Sequence, residues 1–402
     1  MRLRGWLLAP LFPLACCLAI VPAAEKKADD DTGITWKKTV LDTAFRSEGV
    51  AIADVNRDGK MDILNGEIWY EAPNWTPHEI RPSKDYRDGQ KNIYSHSFAC
   101  WAEDLNGDGY PDLIVIDFPG TPCYWFENPK GKDGHWKKHE ICKSACNETP
   151  LYADLFGTGK RVLVMGYLEK QMVYLTPGTD PTSPWDIHPI SDPDKPAPGT
   201  KRFDHGLGVG DVNGDGRLDV ICTQGWWEQP EKADGKTPWT FHPANLGDAC
   251  ADMFAYDIDG DGKADIISSS AHRTGIWVHL QKPGNPDPTF LKQVLFKDLL
   301  SQTHALHVVD INGDGLKDLV TGKRYWAHGP TGDDNPGAPA MLYWFEAKKK
   351  DGIISFTPHV IDDDSGIGTQ FVVGDVNGDG LLDIVVSNKK GTFLFEQVRK
   401  KK

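Results

Sequence analysis

The sequence predicts an all-β chain, a seven-bladed β-propeller with four-stranded antiparallel blades and calcium-binding loops. Three observations carry that prediction. A nine-residue acidic pattern recurs along the chain, short strand-like segments flank each copy, and the strand that the last unit lacks stands near the start.

The repeat comes first, because a fixed period decides the architecture. It reads DVNRDGKMD from Asp54, DLNGDGYPD from Asp104, DVNGDGRLD from Asp211, DIDGDGKAD from Asp257, DINGDGLKD from Asp310 and DVNGDGLLD from Asp375. A worn copy, DLFGTGKRV, starts at Asp154. Successive starts lie 50, 50, 57, 46, 53 and 65 residues apart, a spacing that suits one propeller blade each. A short segment such as Gly206-Leu207-Gly208-Val209-Gly210 precedes the loop, and a β-branched run such as Asp383-Ile384-Val385-Val386 follows it. An aromatic segment comes next, as in Ile68-Trp69-Tyr70 or Leu342-Tyr343-Trp344-Phe345, and then an alternating one, as in Trp136-Lys137-Lys138-His139-Glu140-Ile141. Four short strands per unit, separated by turn residues, read as an antiparallel sheet.

The two ends predict ring closure. The last unit stops after its third strand, Thr392-Phe393-Leu394-Phe395-Glu396, while an orphan fourth strand, Ile34-Thr35-Trp36-Lys37-Lys38-Thr39-Val40, opens the mature chain. Adding it to the last unit hides both sheet edges. The expected organisation is a signal peptide over 1–23, a linker over 24–33, the propeller over 34–398 and a basic tail over 399–402. The leader rests on Arg2 and Arg4, an apolar stretch from Trp6 to Val21, and small residues at Val21-Pro22-Ala23. It places the protein outside the cytoplasm, periplasmic or extracellular. No later stretch is long and apolar enough for a membrane span.

Composition narrows the partners. The formal charge of −14 argues against nucleic acid. Six cysteines follow the leader; Cys142 and Cys146 are close enough to close a small loop, but spacing does not decide pairing. No CxxC occurs, which argues against a structural zinc site.

The acidic loops read as calcium sites. Oxygen donors fall at positions 1, 3, 5 and 9 of each intact copy: Asp54, Asn56, Asp58 and Asp62; Asp104, Asn106, Asp108 and Asp112; Asp211, Asn213, Asp215 and Asp219. The later copies supply Asp257, Asp259, Asp261 and Asp265; Asp310, Asn312, Asp314 and Asp318; Asp375, Asn377, Asp379 and Asp383. With the main-chain carbonyl of position 7, each loop offers the flexible oxygen set that suits Ca²⁺ and not the small octahedron of Mg²⁺. Up to six ions are expected. The competing reading is that Asp, Asn and Gly serve turn chemistry alone. The worn copy has Phe156, Thr158 and Val162 at ligand positions and is expected to be metal-free.

These repeats resemble the FG-GAP-like/VCBS family of calcium-loop propellers, over Ile34 to Gln397. The Phe-Gly…Gly-Ala-Pro element of the integrin members does not precede the loops. A narrower resemblance, through HGLGVGDVNGDGRLDVICTQGWWEQP (His205 to Pro230) and HALHVVDINGDGLKDLVTGKRYWAHGPTGDD (His304 to Asp334), is to the propeller of aldos-2-ulose dehydratases. It implies a sugar lyase that removes water from keto sugars with help from a metal.

Strand topology separates two faces. If each acidic loop joins the first strand to the second, the start of strand one and the end of strand two lie on the opposite face. There the sequence places Glu48, Glu148, His205 and His304, with His96, Asp252 and Gln370 at nearby register. The ends of strand two add Glu67, Asp117, His272, Lys323, Arg324, Asn388 and Lys389; Trp226, Trp227, Tyr325 and His328 are expected in loops just beyond. The candidate catalytic set is Glu48, His96, Glu148, His205, His304, Lys323, Arg324 and Tyr325. The three histidines and two glutamates either hold a second, catalytic divalent metal or supply a base α to a carbonyl, with Lys323 or Arg324 steadying the enolate. Trp226 and Trp227 suit stacking on a sugar ring, and His272, His328, Asn388 and Lys389 complete the candidate substrate-binding set. Each is, taken alone, equally a polar rim residue or a cap on a strand end. The reading is therefore a carbohydrate lyase or dehydratase acting on a keto sugar, with a non-catalytic carbohydrate- or protein-binding module as the alternative.

Overall fold

The computed structural model of the protein describes residues 32–87, 94–284, 287–350 and 352–400. The expected leader and most of the linker lie outside the described residues. Among the described residues every regular element is a strand.

The strands pair with their sequence neighbours in antiparallel groups of four. One sheet runs Ala51–Ala53, Asp62–Leu64, Ile68–Glu71, Thr76–Glu79, and another Leu306–Val309, Asp318–Gly322, Leu342–Lys350, Ile353–Asp362. Two groups share the long strand Lys137–Ala153, whose first part is the outer edge of one group and whose last part is the inner edge of the next. Two others join where Leu207–Gly210 pairs in parallel with Met253–Tyr256. Gly208 permits that approach: a Cβ there would lie 2.0 Å from the Met253 carbonyl oxygen.

The remaining sheet draws on both ends of the chain, in the order Ile34–Asp42, Gly391–Arg399, Asp383–Asn388, Val372–Gly374. Ile34 pairs with Arg399 and Val40 with Phe393, so the opening strand completes the last group as expected. Arg399, placed in the tail by the sequence reading, is part of this strand.

Contacts between groups return to their starting point. The Glu48 amide donates to Ser97 O, the Glu148 amide to Asp204 O and the Leu306 amide to an Asp252 carboxylate oxygen. His307 Nε2 donates to Phe371 O at 2.9 Å, and Gln370 Oε1 accepts from the Val50 amide at 2.8 Å. Arg161 bridges the second and third groups by donating to Ala102 O. Gly368 lets the last group meet the first, since a Cβ would lie 1.9 Å from Glu48 O.

The core follows the same circle. Its apolar clusters sit between neighbouring groups, and one of them joins Val50, Ile63, Ile68 and Tyr70 to Val376, Val385 and Leu394. Buried amide side chains stitch the acidic-loop end. Asn128, Gln229, Gln281 and Gln397 each donate to a carbonyl of their own group and to one in the loop of the group before, such as Val55 O and Leu155 O. The thiol facing Cys142 is Cys123, with the sulfurs 3.3 Å apart, and not Cys146.

Deleting Ile34–Asp42 bares the edge of Gly391–Arg399. The truncated protein is expected to melt at a lower temperature and to self-associate on size-exclusion chromatography. A monomer that melts like the full chain would show the closing strand to be dispensable.

Candidate functional site

The acidic loops do join first to second strands, as at 54–61 between Ala51–Ala53 and Asp62–Leu64. Each opening aspartate gathers backbone amides. Asp211 Oδ1 accepts from Gly214 and Asp215, and its Oδ2 from Gly216. The worn copy folds the same way, with Asp154 accepting from Thr158 and Gly159, so this turn forms without the full donor set. What separates intact copies is the ninth-position aspartate. Asp62, Asp112, Asp219, Asp265, Asp318 and Asp383 are fully buried beside the other carboxylates. Burial pushes Asp112 up to about 7 and Asp62, Asp219, Asp265 and Asp318 up to about 6. Asp257, Asp259 and Asp265 bring carboxylate oxygens within 4.8 Å of one another.

On the opposite end, His205, His272 and His304 converge. Their rings lie 4.5 to 5.0 Å apart, and one nitrogen from each falls within 4.8 Å of the others. His205 and His304 come from segments just before first strands; His272 follows the second strand Asp265–Ser269. The hydrogen bond from His205 Nδ1 to Phe203 O, 2.8 Å, requires the proton on Nδ1. In the neutral ring Nε2 then carries a lone pair; it is buried, without a hydrogen-bond partner, and 3.5 Å from Glu148 Oε2. Two acceptors facing each other at that distance are an arrangement that a cation between them would satisfy.

Beneath the histidines lies a buried ion network. Arg324 donates through Nη1 to Glu148 at 3.1 Å and through Nε and Nη2 to Glu48. Its Nη1 also lies 3.3 Å from the His304 ring nitrogens. Burial pushes the Glu148 carboxyl up, but the protonated forms of His205 and His272 and the Arg324 guanidinium outweigh it and hold the group down to about 2. Burial, reinforced by the Arg324 charge, holds His304 well below the usual imidazole range, and burial also lowers His272. Both imidazoles are therefore neutral at pH 7, the form that binds a metal.

A polar cavity of about 480 Å³ opens beside the cluster, lined by His272, Arg273, His328, Thr331, Gly332, Asp333 and Asp334. Tyr94, Phe118 and the half-exposed Phe203 form a chain of ring contacts alongside it, with Tyr94 6.3 Å from His328.

Several expected site residues stand elsewhere. His96 does not join the histidines; it is exposed and bonded to Asp117 at 2.8 Å. Trp226 and Trp227 are not loop residues. They lie in the third strand Gly225–Glu228, each 2 % exposed in apolar clusters, and Trp226 stacks on His242. No face of either ring is left for a sugar; the repeated aromatic third strand carried that signal. Lys323 donates to Ser301 Oγ and Asn335 O, and Lys389 to the Trp326 and Ala327 carbonyls, so both ammonium groups pin the 325–340 loop. Burial lowers each to about 8. Arg324 is committed to the two glutamates, which removes it as an enolate partner. Glu67 is buried against Tyr86, Asn388 holds Ser365 O, and Tyr325 lies under Lys390. The residue that sequence reasoning missed is Asp333, in the irregular 325–340 loop.

Removing the guanidinium strands two buried carboxylates. Arg324→Ala is expected to cost about 3–5 kcal/mol in urea unfolding. An unchanged unfolding midpoint would show that Glu48 and Glu148 find other partners.

No curated protein matches the sequence. Among solved structures the fold is found in the crystal structure of BBS1N in complex with ARL6DN, soaked with lead. The TM-score is 0.52 at 10 % identity, covering 91 % of this chain and 97 % of that one. The mercury-soaked crystal of that complex gives 0.50 at 11 % identity over the same shares. The exotype rhamnogalacturonan lyase YesX overlaps more loosely, with a TM-score of 0.42 at 13 % identity over 90 % of this chain and 76 % of that one. At such identities the likeness is one of fold. Residues 257–321 match the FG-GAP-like repeat and residues 367–393 the FG-GAP repeat, so these stretches of the chain are similar to FG-GAP repeats.

Proposed function

We propose that the protein is an exported, calcium-loaded, seven-bladed β-propeller that acts as a carbon–oxygen lyase on a keto sugar or sugar derivative. The reading is carried by one observation: His205, His272 and His304 converge beside Glu148 and a polar cavity, with an unpartnered imidazole nitrogen among them. The cyclic contacts between four-stranded groups support the ring.

Calcium fits the intact loops through positions 1, 3, 5 and 9. Clustered carboxylates with one buried member are the environment a dication relieves. At the other face, three imidazoles form a nitrogen donor set suited to zinc or another late transition dication. Held there, such an ion supplies Lewis-acid polarisation of a substrate carbonyl.

The protein's own groups do the rest. The cavity is lined mainly by polar side chains, which suits a ligand rich in hydroxyls. His328, its Nδ1 bonded to Asp333, has Nε2 available to take the proton from the carbon α to the carbonyl. The released electron pair forms the carbon–carbon double bond, and the carbon–oxygen bond at the β carbon breaks. The imidazolium then returns its proton to the departing hydroxyl, so water leaves and His328 is restored. Phe203, Phe118 and Tyr94 offer an apolar wall for the sugar C–H face, the part assigned to Trp226 and Trp227 by sequence.

Two measurements test this. Purified protein incubated with 2-keto and 3-keto sugars is expected to produce metal-dependent ultraviolet absorbance from an unsaturated product. His205→Ala and His304→Ala should each lower turnover at least about 100-fold while leaving calcium-dependent melting in place. Activity that survives both substitutions on a confirmed substrate would move the site elsewhere.

Calcium loading has a pH signature. The ninth-position carboxyls have folded pKa values above their unfolded value, so folding takes up protons between about pH 4 and pH 7. Chelated protein therefore gains stability from these groups as pH falls through that window. Calcium holds them ionised, so loaded protein loses stability on the same descent. At pH 7.5 chelation is expected to lower the melting temperature by more than about 10 °C, and Asp211→Ala should cost more than Asp154→Ala. Parallel melting curves with and without calcium would leave turn chemistry as the whole role of the loops.

A further inference from the structure

The 325–340 loop carries Asp333, whose side chain is 3 % exposed and touches two imidazoles at once. Its Oδ1 lies 2.9 Å from His272 Nδ1, and its Oδ2 lies 2.8 Å from His328 Nδ1. A carboxylate only accepts, so both Nδ1 atoms carry protons, and in the neutral rings both Nε2 atoms keep their lone pairs. His205 reaches the same state by another route, through Nδ1 and the Phe203 carbonyl. Two of the three clustered histidines therefore have a fixed tautomer with Nε2 left to bind, and a nitrogen with the opposite tautomer would present a proton to a cation.

The carboxylate is itself held. Lys323 bonds Asn335 O and Lys389 bonds the Trp326 and Ala327 carbonyls. Gln302 Nε2 donates to Asp334 O, and the Asp334 amide donates to His272 O. The loop is thus fastened on both sides of Asp333, and its position is set before any ligand enters.

We propose that Asp333 is the positioning residue of the histidine metal centre, orienting His272 as a ligand and His328 as its neighbour across the cavity. The inference rests on the reading of His205, His272 and His304 as ligands. It adds a residue that touches no metal itself and acts through the imidazole it holds. Asparagine is the informative replacement, because its amide accepts from one imidazole and presents an N–H to the other, forcing that ring into the wrong tautomer.

The experiment is zinc titration against a chromophoric chelator, on calcium-loaded full-length protein, for wild type, Asp333→Asn, Asp333→Glu and Lys323→Met. Wild type is expected to bind one zinc ion at this centre. Asp333→Asn should bind it about 10- to 100-fold more weakly, with Asp333→Glu recovering part of the loss, and with zinc-free melting close to wild type. Nitrogen-15 spectra of the imidazoles should show a tautomer change in Asp333→Asn and none in Lys323→Met. Equal zinc affinity in wild type and Asp333→Asn overturns the proposal while leaving the metal centre standing. A loss in Lys323→Met as large as in Asp333→Asn, with unchanged tautomers in both, also overturns it, since the carboxylate would then only hold the loop. Absence of zinc binding in wild type removes both the centre and its positioning residue. Should Asp333→Asn not fold, the comparison of wild type with Asp333→Glu by affinity and nitrogen-15 shift decides in the same way.

Discussion

Each four-stranded group has a face on either side and can cover neither alone. The apolar clusters sit between groups, so every group depends on two neighbours for its core, and the cluster of Val50, Tyr70, Val376 and Leu394 makes that dependence circular. A ring built this way has no terminal face to protect, provided its last sheet is completed. The strand Ile34–Asp42 completes it from the far end of the chain, which ties the stability of the last group to residues at least 350 positions from their partners.

The same arrangement sorts chemistry between two ends. A loop joining first and second strands returns the chain to the end it came from. Acidic turns therefore gather at one end, while the residues before first strands and after second strands gather at the other. Repetition makes the first end uniform. At the second end each group contributes different side chains, and the groups converge on the axis, so single residues from distant parts of the chain come into contact.

That convergence explains the charge pattern at the centre. Glu48, Glu148 and Arg324 stand at sequence separations of 276 and 176, yet form one buried ion network under the histidines. Burial keeps His304 and His272 neutral, while the guanidinium keeps Glu148 ionised. Lys323 and Lys389 look like site groups in the sequence because they end second strands. In the fold their ammonium groups meet carbonyls of the 325–340 loop, and they serve the site by fastening it.

The repeat determined a great deal unaided: strand order within a group, the acidic loops between first and second strands, and the closing role of Ile34–Asp42. These are legible because each depends on local pattern, on periodicity two within strands and on oxygen donors at fixed offsets within a loop. It also determined that Glu48, Glu148, His205, His272 and His304 share one end of the molecule. Which of them touch was decided only by the tertiary structure. His96 has a register close to theirs but turns outward to Asp117, while His272 and His328, given lesser parts by the sequence, enter the cluster. Trp226 and Trp227 were misplaced because only two residues follow Asp219–Cys222 before the third strand begins at Gly225. Asp333 left no signal, since an irregular loop has no period, and its contacts are set by the lysines and glutamine that pin it from other strands.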